Sequence, residues 1–92
     1  MREEHDRRIR RNIIKKLFSK GCFGNGHLLL IRLQKGVSKE DAGFVKDVVK
    51  QLIKEGIVMA KVTKHGTSVY LNMAKLPEIE KIINEYNNQE NR

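Results

Sequence analysis

A helix that is capped at its start and feeds directly into a hairpin constrains this chain more than any other feature. Ser38 stands before an amphipathic run, where a hydroxyl accepts from the backbone N–H groups left over at a helix start. Asp41 follows three residues on, at the capping-box position, although Glu or Gln is usual there. Ala42, Val45, Val48, Val49, Leu52 and Ile53 recur at helical spacing and form a stripe to be buried. Gly56 is the stop signal, so the helix is expected over residues 38–55. Residues 57–64 and 67–72 then read as two strands around a turn at His65-Gly66. In that register Val62 faces Val69 and Ala60 faces Leu71, and Lys61, Thr63, Ser68 and Tyr70 fall on the other face.

The flanking segments read as helices and turns. Ile9, Ile13, Leu17 and Phe18, with Ile14 alongside, predict a first helix over residues 3–19, with Arg8, Arg11 and Lys15 on the opposite face. Glu3 and Glu4 sit in its first turn, four residues before Arg7 and Arg8, a favourable pairing. Gly21 ends it as the residue just past the helix. Residues 22–27 are a glycine-rich turn, and Gly24-Asn25-Gly26 lacks the Lys-Ser/Thr of a phosphate loop. Residues 27–34 are too short and apolar for periodicity to separate helix from strand. Their leucine content and the flanking Gly26 and Gly36 favour a short helix. Pro77 can open a last helix whose stripe is Leu76, Ile79, Ile82, Ile83 and Tyr86. The expected architecture is one domain over residues 1–86, mostly α with a small antiparallel β-hairpin (α+β), and a polar, disordered tail over 87–92.

Charge narrows the partners. Lys and Arg number 19 against 11 Asp and Glu, a formal net charge of +8 over 92 residues. Residues 1–20 hold eight basic and three acidic side chains, and residues 77–92 hold two and four, so the cationic field lies on the first 76 residues. Such a field attracts polyanions, nucleic acid above all. No apolar run reaches the ~20 residues that span a bilayer, and the N-terminus is charged rather than apolar. A cytoplasmic protein is expected, with no membrane contact. The lone Cys22 cannot form an intrachain disulfide or a cysteine zinc site; it is either a small half-buried residue or a thiol that bridges copies or senses oxidation.

The helix at 38–55 carries the candidate site. Lys39, Gly43, Lys46 and Lys50 fall on one stripe away from the core, and Lys54 continues it. Lys46, Lys50 and Lys54 are successive i, i+4 neighbours, a spacing at which like charges repel by a few tenths of a kcal/mol per pair. Asp47 can relieve part of this through Lys50, and a phosphate backbone would relieve all of it. Gly43 costs an exposed helix interior about 1 kcal/mol relative to alanine. It is explained if a groove wall or base edge approaches the backbone there, or if Gly43 packs under another helix.

The run from Ser38 to Val58 resembles the recognition helix of winged helix-turn-helix DNA-binding proteins, and the run from Lys64 to Asn72 resembles the wing and its return strand. The similarity covers about residues 9–72. It departs from the family in its glycine-rich connector, its very apolar second helix and the acids Glu40, Asp41 and Asp47. The resemblance implies a three-helix core plus wing and a C-terminal helix, and sequence-specific binding of double-stranded DNA by a transcriptional regulator. By position, Lys39, Gly43, Lys46 and Lys50 would face the major groove, with lysine contacting guanine and Asp47 or Glu40 accepting from cytosine. Lys61, Lys64, His65 and Thr67 would contact phosphate or the minor groove, and Arg8, Arg11 and Lys15 are either phosphate clamps or a solvated face.

Catalysis is not expected. His5, His27 and His65 lie in different elements without an adjacent carboxylate motif, and no metal, cofactor or small-molecule effector is implied. The rival to DNA binding is a winged-helix module for protein or RNA. A homodimer is expected because the first and last helices carry apolar stripes and two-fold dimers suit palindromic DNA; the alternative is that both stripes close the monomer core.

Overall fold

The computed structural model describes residues 2–23 and 26–90, with side chains described for residues 6–23 and 26–84. Helix α1 spans Arg2–Ser19. Its stripe of Ile9, Ile13, Ile14 and Leu17 is wholly buried. Gly21 takes φ +66 and closes the helix: the Cys22 N–H donates to the Leu17 carbonyl at 2.9 Å and the Gly21 N–H to the Phe18 carbonyl at 3.1 Å. Phe18 stays half in solvent and meets Phe23 edge to face, with ring centroids 5.3 Å apart. The expected pairing of Glu3 and Glu4 with Arg7 and Arg8, the side chain of His5, and residues 24 and 25 of the glycine turn lie outside the described residues.

The segment expected as a short helix over 27–34 divides in two. Leu28–Leu29 form strand β1, and Leu30–Lys35 form helix α2. The correction has a tertiary cause: Leu28 pairs with Val69 and Leu29 with Ser68, forty residues away in sequence and invisible to local periodicity. The result is a three-stranded antiparallel sheet in the order β1-β3-β2, where the sequence suggested a hairpin alone.

Helix α3 spans Lys39–Lys54 and is capped as expected, with the Ser38 hydroxyl accepting from the Asp41 N–H at 3.3 Å. Gly56 takes φ +80, and the Ile57 N–H donates to the Leu52 carbonyl at 3.0 Å. Strands β2 (Val58–Thr63) and β3 (Gly66–Leu71) follow. Their turn is Lys64-His65 rather than His65-Gly66, so Ala60 pairs with Val69 and Val62 with Thr67. The turn's non-glycine residues keep negative φ, and the left-handed step falls on Gly66 at φ +120. The Thr63 hydroxyl secures the reversal, accepting from the His65 N–H at 3.2 Å and donating to the Gly66 carbonyl at 2.7 Å. A register shift of two residues leaves every side chain on its expected face.

Burial does not follow those faces. Val58, Val69 and Leu71 enter the core, but Ala60 and Val62 are exposed, Val62 by 85%. Ser68, expected on the polar face, is fully buried; its cross-strand partners on that face are Leu29 of β1 and Lys61 of β2. Asn72 then turns the chain, its side-chain amide donating to the Gly56 carbonyl at 2.8 Å and its oxygen capping the 3-10 turn Met73–Lys75. Helix α4 runs over Leu76–Glu90; Ile79 is buried and Ile82 and Ile83 are half-buried. Its backbone is helical through Glu90, within the segment expected as a tail, while residues 91 and 92 and the Tyr86 side chain lie outside the described residues. The fold is thus mostly helical with a small antiparallel sheet, packed around one core to which α1, α2, α3, the sheet and α4 all contribute. No described helix is long and apolar enough to cross a membrane.

Candidate nucleic-acid interface

Helix α3 buries Val45, Val48, Val49 and Leu52 and turns its opposite side outward. Lys39, Gly43, Lys46, Asp47, Lys50 and Lys54 are all exposed there. A Cβ placed on Gly43 would meet nothing within 4 Å, so no neighbouring helix accounts for this glycine. Among the described residues no ion pair joins Asp47 to Lys50, so the expected relief of the lysine column is not made. Asp47 instead lines a groove on the α1 flank of α3, with Arg7, Arg10 and Phe44.

The hairpin tip and α3 share a cleft. Lys46, the α2 residues Leu30, Ile31 and Gln34, and His65, Gly66 and Thr67 line a shallow cleft of about 340 Å³. His65 reaches it from the exposed Lys64-His65 turn, while Lys64 does not line it. Thr67 pairs with Val62 and Lys61 with Ser68, so Lys61 and Thr67 project from opposite faces of the hairpin. The cleft therefore gathers Lys46, His65 and Thr67 from the expected set, but not Lys61.

The α1 candidates lie elsewhere. Arg8 is exposed, with its guanidinium 3.5 Å from the Asp41 carboxylate at the start of α3. Arg11 and Lys15 are half-buried rather than on a solvated face. None of the three lines the cleft. Arg10, which sequence reading did not single out, holds the two helices together: both of its terminal nitrogens donate to Glu55, each at 2.5 Å. These bonds hold the Glu55 carboxyl below its ordinary value, helped by the Arg10 charge and Gln51 and opposed by burial. Cys22 is buried, and desolvation pushes its thiol up despite the nearby Lys20 cation, which suits a packing residue rather than a reactive thiol.

Sequence reasoning also missed the α2 contribution to the cleft. Ile31 is 53% exposed beside Lys46. An isoleucine left in solvent within an apolar run carries no local sign of exposure; only the docking of α2 through Leu33 reveals it.

Comparison with family models, with curated proteins and with solved structures gives no match for this chain.

Proposed function

We propose that the chain is a winged helix-turn-helix protein that binds double-stranded DNA sequence-specifically and regulates transcription in the cytoplasm. In this reading α3 enters the major groove and the β2–β3 hairpin is the wing. The observation that carries it is the cleft in which Lys46 meets His65 and Thr67, because it joins the lysine stripe and the hairpin tip into one surface. The order α1-β1-α2-α3-β2-β3, with strand order β1-β3-β2, supports the same reading: the hairpin leaves directly from the helix it flanks. Open space over Gly43 supports it further, since a base edge can approach the α3 backbone there. Lys39, Lys46 and Lys50 supply donors to base edges, and Lys54, Lys64 and His65 supply phosphate contacts.

The test is duplex binding against salt. Four or more phosphate contacts lower affinity about a hundredfold between 50 and 200 mM salt. On a selected sequence, Lys46→Ala and Lys50→Ala should each cost about 1–3 kcal/mol, while the distant Lys81→Ala should have no effect. Equal effects of all three would sink the assignment of α3.

A protein-binding module is the second reading, and the exposure of Val62 and Ile31 favours it. A flat salt response together with a partner lost on Val62→Ser would select it. A homodimer is part of the main reading. Ile9, Ile13, Ile14 and Leu17 of the α1 stripe are consumed by the core, so Phe18 on α1 and the half-buried Ile82 and Ile83 on α4 are what the two stripes leave to extend an interface. Sedimentation at micromolar concentration should show a dimer, and a monomer alone would reject it.

A further inference from the structure

Three neighbouring clefts share walls. The cleft at Lys46 shares Leu29 and His65 with a second, of about 480 Å³, between β1, α2 and the hairpin tip. The second shares Leu28 and Arg32 with a third, of about 430 Å³, between α2 and the end of α1. One surface therefore runs unbroken from Lys46 to Lys20. Its charges have one sign. Arg32 and Lys64 line the second cleft, and Lys16, Lys20 and Lys35 join Arg32 in the third. No described aspartate or glutamate lines any of the three. The groove on the other flank of α3 differs, mixing Asp6 and Asp47 with Arg7 and Arg10.

Two details mark the walls of this band. Ser68 is fully buried in the wall of the second cleft, and among the described residues its hydroxyl has no hydrogen-bond partner. A buried hydroxyl of this kind is a polar spot in an otherwise packed wall. Gly36 is the other detail. The Lys16 ammonium lies against the end of α2 at this glycine, close enough that a Cβ there would make the flexible lysine end move aside.

We propose that this band is a second phosphate-binding track, occupied by the backbone of duplex DNA that flanks the segment seated on α3. The proposal rests on the DNA-binding reading and extends it to residues that reading does not use. Charge complementarity and continuity with the Lys46 cleft argue for the flanking duplex as occupant. A duplex held at Lys46 and His65 meets Lys64 and Arg32 next along the surface, and then Lys20 and Lys35.

The experiment compares a bound sequence trimmed to one helical turn, about 10 base pairs, with the same sequence flanked to about 24 base pairs. The proteins are the full chain and its Lys20→Ala/Arg32→Ala/Lys35→Ala variant, which alters exposed side chains only. The parent chain should bind the longer duplex about tenfold more tightly, with a log–log salt slope steeper by about 2–3, at about 0.9 per phosphate. The variant should lose that increment and bind the short duplex as the parent does. Equal affinity and slope of the parent on both lengths, or an equal loss by the variant on both, overturns the track and leaves the α3 reading standing. No binding of either duplex by the parent overturns both.

Discussion

Gly43 is a helix-interior residue with open space where its side chain would be. Folding alone therefore gives no reason for glycine there. Gly43→Ala should raise stability by about 0.5–1 kcal/mol, because alanine loses less backbone freedom and meets no obstacle. If the duplex approaches the α3 backbone, the same change should weaken DNA binding. Urea melts beside a binding titration separate the two effects, and a more stable variant with unchanged affinity would remove Gly43 from the interface. Cys22 is the contrasting residue. Its cost and benefit are both internal, since it packs in the core and its backbone carbonyl accepts from the Leu71 N–H at 2.8 Å.

At the scale of elements, the termini of α1 and α3 were legible because their signals are local. A serine hydroxyl and a glycine at positive φ act within one turn of the helix they bound, so Ser38, Gly21 and Gly56 can be read from neighbours alone. Ser38→Ala should cost about 1 kcal/mol, and Ser38→Gly only a few tenths, measured as shifts in denaturant midpoint at constant slope. Equal losses would mean that the cap bond contributes nothing. The hairpin was legible in its faces and not in its turn. The alternation of apolar and polar residues has period two, so it survives a register shift of two residues unaltered. Strand β1 had no local signal at all, since Leu28 and Leu29 are strand only by virtue of β3.

At the scale of the whole molecule, Arg10 and Glu55 tie the middle of α1 to the end of α3. The Glu55 carboxyl is held low in the folded chain, chiefly by the bonds from Arg10. A lowered folded value means that the pair stabilises the fold above the ordinary carboxylate range and loses that contribution as pH falls through the folded value. Glu55→Gln should therefore be less stable than the parent at neutral pH, by at most about 1 kcal/mol for so exposed a pair. The gap should close in acid. Thermal melts from neutral pH downward check it, and a gap independent of pH would assign the loss to packing instead. The sequence by itself determined α1 and α3, their end signals and the column of lysines, because helical spacing and end signals operate over a few residues. Only the tertiary structure decided that Leu28-Leu29 closes a sheet, that Ser68 is buried and that Val62 is not. It alone also decided that Lys46 meets the hairpin while Arg8 turns to Asp41. The physical reason is that burial and convergence are set by which surfaces the elements place against one another, and the pairings that do so join residues some thirty to forty positions apart, beyond the reach of any local pattern.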